Sequence, residues 1–343
     1  MYSAEDLLSI ANSEPERLFV SPDRISAIFT QLARKWHPDA NAGAPNASAV
    51  FSHLVDLRNR ANEKVRCKTW STPGLVEIAG RKIRYFYKEK NDIADLYIGN
   101  TIGAISVRAE NRDLALNMEK TVSAISFPST GMERVFSKRL PGIRASFDGP
   151  DGDRVVVFSK PAGFIRLADI LRESGPLAAP HVAWIMSELL SLATFFNLVM
   201  GIAHQGLNIE TVYIHPQTHT AFIGGGWLYS GMLGQPLVAL PDQTVDCAPS
   251  QALAGKKVSA AFDMACIRAI GRQLLGDSGG SSFRSRKDVP EALASWLRLP
   301  GSGDPRMDYS DWDDVLEASF GPKKFITLPI TAQQIYGKDA SNG

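Results

Sequence analysis

The stretch VAWIMSELLSLATFFNLVMGIA, residues 182–203, constrains this chain more than any other part of it. So long an apolar run must leave water. Ser187, Glu188, Ser191 and Asn197 interrupt it, and an ionisable residue in a lipid-exposed span is expensive. The segment therefore reads as the buried central helix of an α-helical lobe, which the rest of the chain must supply. With 343 residues, 44% of them hydrophobic, there is material for that core and for two or three domains.

The formal net charge is +1, so no global field draws nucleic acid or an anionic membrane, and neither is expected as a partner. Cys67, Cys247 and Cys266 are odd in number and form no C-x-x-C pair. Neither a disulfide framework nor a zinc site is expected, and a reducing, cytoplasmic setting fits. The opening MYSAEDLLSI lacks the basic and apolar regions of a secretory signal.

Residues 3–66 carry helical periodicity. Ser3-x-x-Asp6 has the form of a capping box for a short first helix. Ser21-Pro22-Asp23 starts a second, along which Ile25, Ile28, Phe29, Leu32 and Trp36 recur at spacings of three and four. Arg34 and Lys35 suit its C-terminal dipole, and Pro38 ends it. Asn46 or Ser48 caps a third helix with Val50, Phe51, Leu54, Leu57 and Ala61 on one face. This pair of helices, with His37-Pro38-Asp39 at the base of the connecting loop, resembles a J-domain, the Hsp70-activating module of Hsp40 co-chaperones. The resemblance implies that His37, Pro38 and Asp39, with Arg34 and Lys35, dock on an Hsp70 (DnaK-type) chaperone and stimulate its ATPase.

Thr69 to Gly74 punctuates the chain as a linker. LVEIAGRKIRYFYKEK then reads as a β-hairpin turning at Gly80, and DIADLYIGNTIGAISVRAE as a second turning near Asn100-Thr101. This second hairpin resembles the start of a protein-kinase small lobe, with Gly99 and Gly103 short of a full G-x-G-x-x-G loop. In that likeness Arg108, or by strand alternation Ser106, stands at the phosphate-binding lysine, and Glu119 on the next helix is the partner of Arg108. VVVFSKPAGFIRLADILRES resembles the last small-lobe strand, the hinge and the first large-lobe helix, with Ser159 to Ala162 as the adenine-binding backbone.

Beyond the apolar helix, His204-Gln205-Gly206-Leu207-Asn208-Ile209-Glu210-Thr211 resembles the kinase H-R-D-L-K-P-E-N loop. Gly224-Gly225-Gly226 falls at D-F-G, Cys247-Ala248-Pro249-Ser250 at A-P-E, and Asp263 at the aspartate that braces the catalytic loop. Phosphoryl transfer needs a proton acceptor and hard oxygen ligands for magnesium. Gly206 replaces the first, and Gly224 or Gly225 the main second. Thr211 replaces the metal-binding Asn, and Asn208 the loop Lys. His204 reads as a core histidine. His215 and His219 lack a third ligand, so no metal site is expected.

The expected fold is α+β: an all-α J-domain (1–68), a linker (69–74), a β-rich kinase-like small lobe (75–160), an α-rich large lobe (161–330) and a C-terminal tail (331–343). The function this implies is an adaptor. Its J-domain recruits Hsp70, and a pseudokinase domain with no catalytic residue holds a protein client. No cofactor is assigned; ATP is the nucleotide the resemblance would bring. The competing expectation is an atypical kinase-fold enzyme using Glu210, Asp242 or Asp246. Compact fusions of this kind resemble bacterial or bacteriophage proteins.

Overall fold

Helix α1 (Ala4–Leu8) starts where its side chains dictate: Ser3 Oγ accepts from the Asp6 amide at 3.1 Å and Asp6 accepts from the Ser3 amide at 2.8 Å. The structure is a computed structural model that describes residues 2–10, 12, 15–19, 22–41, 46–66, 70, 74–149, 151–322 and 326–336. Ser21, Cys67 and most of the 69–74 linker lie outside the described residues. The chain divides into two units, 1–85 and 86–343.

In the first unit α2 (Glu16–Phe19) and a 3-10 turn at Pro22–Arg24 lead into α3 (Ile25–Trp36), and α4 (Ala47–Arg66) follows. The periodic residues make the core. Ile25 and Leu32 bury against Val50, Leu54, Leu57 and Ala61, with Leu7, Leu18 and Phe19 closing the cluster. Ile28, Phe29 and Trp36 are only half-buried at its edge. Buried Glu16 is neutralised by Lys64 at 2.8 Å. Helix α4 begins one residue before Ser48, which is therefore inside the helix and does not cap it; Asn46 stands at the entry. Strands β1 (Leu75–Ile78) and β2 (Arg81–Arg84) form the first hairpin. Its turn residues Ala79 and Gly80 have φ of 49° and 74°, the left-handed pair that a two-residue hairpin requires. This hairpin belongs to the first unit, although the sequence reading assigned it to the small lobe.

The second unit opens with an antiparallel sheet of β3 (Tyr87–Lys90), β4 (Ala94–Ile98), β5 (Ile102–Val107), β6 (Ile143–Asp148) and β7 (Arg154–Ser159), in the order β3-β4-β5-β7-β6. Between β5 and β6, α5 (Arg112–Ser123) lays Leu114, Ala115, Met118 and Val122 on the sheet, and α6 (Thr130–Phe136) follows. The expected second hairpin is present as β4–β5. It forms the second and third strands of the sheet, not the first two.

The rest is mostly helical. Strand β8 (Ile165–Arg166) and α7 (Leu167–Ser174) precede α8 (Ala179–Thr194), which continues as a π-helical turn over Phe195–Met200 and stops at Gly201 with φ 68°. Then come β9 (Ile202–Ala203), β10 (Val212–His215), β11 (Thr220–Ile223) and β12 (Gly231–Met232). Helices α9 (Asp242–Cys247), α10 (Ser250–Gly255), α11 (Ala260–Leu274), α12 (Glu291–Arg298), α13 (Pro305–Phe320) and α14 (Ala332–Tyr336) complete the unit. Small ladders β11-β10-β8 and β12-β9 frame the loops. Ala179–Met200 is apolar and long enough to cross a membrane, but 61% of its window is buried in the fold, where α11 and α13 cover it. Each Leu, Ile or Met so buried contributes about 1.5–3 kcal/mol. The unit has the β-rich and α-rich lobes that the sequence implied.

Candidate functional site

The loop between β9 and β10 is held from below by Asp263, on α11. Its carboxylate accepts the amides of His204 at 2.9 Å and Gln205 at 2.7 Å, and Asn197 Nδ2 at 3.3 Å. Full burial raises its pKa to about 6 despite these donors. Gln205 is left-handed at φ 60°, a conformation held by bonds from its amide, its Nε2 and its carbonyl, while its Oε1 is buried without a partner among the described residues. Its Nε2 donates to Tyr229 O at 2.7 Å, and its carbonyl accepts from Thr244 Oγ1 at 2.7 Å. His204 is wholly buried between Phe196 and Trp227, and burial lowers its pKa to about 3. It is a neutral core residue at any working pH.

Above that brace the backbone of this loop packs against that of the loop between β11 and β12. A Cβ on Gly206 would lie 2.6 Å from Gly226 O and 2.9 Å from Gly226 Cα. A Cβ on Gly226, whose φ is 78°, would lie 2.3 Å from Gly206 O and 2.7 Å from His204 Cε1. The two loops are thus pressed main chain against main chain. Gly224 is crowded by the rings of Phe222 and Tyr213, and Gly225 by Thr211. Thr211 Oγ1 donates to Gly206 O at 2.8 Å and accepts from the Asn208 amide at 2.9 Å. Asn208 Oδ1 accepts from the amides of Glu210 at 2.8 Å and Thr211 at 3.1 Å. The Thr211 hydroxyl and the Asn208 Oδ1 are thus engaged within the loop.

The small-lobe side departs further from the expectation. The turn joining the first two strands of the sheet is Asn91–Ile93, which has no glycine; Asn91 Oδ1 accepts from the amides of Ile93 at 3.0 Å and Ala94 at 2.9 Å. Gly99 lies in the next turn. Gly103 lies within β5 opposite Phe158, whose ring would be 2.3 Å from its Cβ. Arg108 and Glu119 do not pair. Arg108 reaches Asp95 at 2.8 Å, because β4 is the neighbour of β5. Glu119 instead takes Arg154, on β7, through two bonds of 2.7 and 3.0 Å, and that guanidinium holds its carboxyl below the usual range. Ser106 is buried, 3.4 Å from Asp153.

Two residues matter that sequence reasoning passed over. Lys160, in the expected hinge, is 3% exposed. Its ammonium donates to Asn100 O at 3.2 Å and Pro161 O at 3.3 Å and lies 6.0 Å over the Tyr213 ring, and burial lowers its pKa to about 8. Its amide is taken by Thr101 O at 2.9 Å, and that of Ser159 by Gly142 O at 2.9 Å, so these two hinge donors are occupied. Arg166 is the hub of a buried ionic cluster. It pairs with Asp169 at 2.8 Å, Glu89 at 3.1 Å and Glu210, and lies 3.6 Å over the ring of Tyr87. Tyr336 closes the cluster through Asp169 at 2.6 Å. No sequence motif marks either residue; the hint is a cation beside a turn and a strand.

The acids considered as replacements are elsewhere. Glu210 is engaged by Arg166, and burial raises its pKa. Asp242 and Asp246 are exposed on α9. His215 accepts from the Thr218 amide at 3.3 Å, and His219 meets Ile326 O at 3.0 Å. No group of three metal-ligating side chains occurs among the described residues.

In the first unit α3 ends at His37, whose extended backbone Pro38 requires. Asn41 Nδ2 staples the loop to Lys35 O at 2.7 Å and His37 O at 3.2 Å. The Asp39 amide donates to His37 Nδ1 at 3.2 Å. The side chains of His37 and Asp39 remain 47% and 92% exposed. A shallow groove of about 430 Å³ beside them is lined by Phe29, Thr30, Ala33, Arg34, His37 and Phe51. Arg34 is exposed there, whereas Lys35 turns back to Tyr2 O at 3.1 Å.

No protein-family model matches the sequence. No curated protein matches it either. Among solved structures, the kinase PK-1 of Cydia pomonella granulovirus is similar with a TM-score of 0.49 and 10% identity, over 77% of this chain and all of that one. That likeness is too slight to argue from, so the two-lobe reading rests on the strand order and on the loop braced by Asp263.

Proposed function

We propose that the chain is an adaptor: a J-domain-like unit that recruits a cytoplasmic Hsp70 ATPase, joined to a pseudokinase unit that holds a protein client. The observation that carries this reading is the contrast between two loops. His37 and Asp39, either side of a half-buried Pro38, are exposed on a stapled turn beside an apolar, arginine-edged groove. The kinase-like loop is shut, with Gly206 against Gly226. An exposed carboxylate and guanidinium on a rigid turn suit charge-assisted docking. Joining that turn to a client-binding unit raises the local concentration of chaperone at the client. The competing reading, ATP-dependent transfer through Glu210, Asp242 or Asp246, has no supporting geometry, since Glu210 is bound to Arg166 and the other two lie on an exposed helix.

The test is single-turnover ATP hydrolysis by a DnaK-type chaperone. The full chain accelerates it, and Asp39→Asn and His37→Gln abolish the acceleration without shifting the melting curve. Equal acceleration by Asp39→Asn, or none by the wild type, overturns the reading.

A further inference from the structure

A cavity of about 440 Å³ in the helical lobe lies between the α9–α10 connection, α11, the loop at Ser278-Gly279 and the end of α12. Three arginines line it. Arg268 is spoken for: it is buried, paired with Asp308 at 2.5 Å and lying 4.1 Å over the Trp296 ring. Arg272 and Arg298 are not. Among the described residues neither has a carboxylate within ion-pair distance.

Arg272 is partly buried and donates to two carbonyls, Ser278 O at 2.9 Å through Nε and Leu297 O at 2.7 Å through Nη1. Those bonds fix its fork in place without neutralising it. The stems of Arg272 and Arg298 converge at Gly280, whose φ is 67°: a Cβ there would lie 3.0 Å from Arg272 Cδ and 3.1 Å from Arg298 Cγ. Cys247 also lines the cavity, and the pKa of its thiol is lowered first by a bond with Cys266, 3.8 Å away, and further by the charge of Arg272. The one carboxylate in the lining is Asp246, exposed at the α9 end.

Arg272, held by two carbonyls, shares the lining of a concave site with the exposed Arg298, and guanidinium N–H donors so placed suit an oxyanion. We infer that this cavity binds a phosphoryl group, supplied either as free phosphate or as a phosphorylated side chain of a partner peptide. This site is separate from the kinase-like loop and does not depend on the adaptor reading. The ligand's charge would meet Arg272 and Arg298, which have no carboxylate at ion-pair distance among the described residues, against the repulsion of Asp246 at the rim and of Asp277, whose charge already reaches Arg272.

The experiment follows alkylation of Cys247 in the full chain by iodoacetamide, read by peptide mass spectrometry, as inorganic phosphate is titrated at constant ionic strength. A dianion that raises the thiol pKa by about one unit slows alkylation about tenfold. Saturable protection of that order is expected, and Arg298→Gln, an exposed position that leaves folding intact, abolishes it. Arg272→Gln does the same if folded. In the second arm, a phosphoserine peptide that protects at concentrations far below phosphate identifies a peptide source; equal potency identifies the free ion. Sodium chloride protecting as well as phosphate, or undiminished protection in Arg298→Gln, overturns the site.

Discussion

Replacing Gly206 by alanine tests whether the kinase-like loop is closed by its own backbone. The added Cβ would sit 2.6, 2.9 and 3.1 Å from the O, Cα and C atoms of Gly226, well inside ordinary contact. Neither side yields easily. Gly226 is itself wedged against His204, and the Gly206 carbonyl is held by Thr211. Overpacking of this kind costs about 1–3 kcal/mol, and opposing main chain puts the expectation near 3. For a unit of this size that is a fall in melting temperature of roughly 6–12 °C. Trp227, buried 4.6 Å from His204, reports the melt by fluorescence. Gly255→Ala is the control: no atom lies within 4 Å of its Cβ and its φ is not left-handed, so it should be neutral or slightly stabilising. Gly206→Asp adds an unpaired buried carboxylate to the same clash and is expected to be worse, with no gain of ATP turnover. A Gly206→Ala protein that melts within about 2 °C of wild type would refute the closed-loop argument. So would a Gly206→Asp, Gly224→Asp protein that folds and hydrolyses ATP with magnesium.

Lys160 gives a pH signature. Its pKa is lowered to about 8 in the fold from an unfolded value of 10.5, so the unfolded chain binds more protons between those values. Its penalty, on the order of 3 kcal/mol, is therefore full below pH 8 and is relieved as pH rises toward 10.5. Lys160→Met should be more stable than wild type at pH 7, with the difference shrinking through that window in urea titrations; a pH-independent difference would refute the assignment. Arg166→Met strands Asp169, which is 0% exposed, and should cost about 3–5 kcal/mol, partly recovered by Asp169→Asn in a double-mutant cycle. A loss under about 1 kcal/mol would show that the cluster is not structural.

Local features were legible wherever short-range geometry sets the outcome. The Ser3–Asp6 box, the apolar spacing of α3 and α4, the Ala79-Gly80 turn and the buried 182–200 helix follow from neighbours a few residues away. Asp263 was singled out only through a family resemblance, and its bonds to the His204 and Gln205 amides, some sixty residues away, are set by packing. The strand that starts the sheet was misjudged, because β2 and β3 are separated only by Tyr85 and Phe86. Alternation continues across the break, and only the pairing of β3 with β4 reveals it.

What the sequence by itself determined is the order of elements and the absence of acidic side chains at Gly206, Gly224 and Gly225. Tertiary structure alone decided which charges meet. Glu119 finds Arg154 and not Arg108 because β7 inserts between β5 and β6 and turns Arg154 toward α5. Lys160 is buried because a turn two strands away supplies Asn100 O. Glycine at 206 says only that a side chain is missing. That the vacancy is filled by the main chain of Gly226 depends on two loops, β9–β10 and β11–β12, being clamped by Asp263, Thr211 and Thr244. Contacts between residues so far apart in the chain are fixed by packing, which no local pattern encodes.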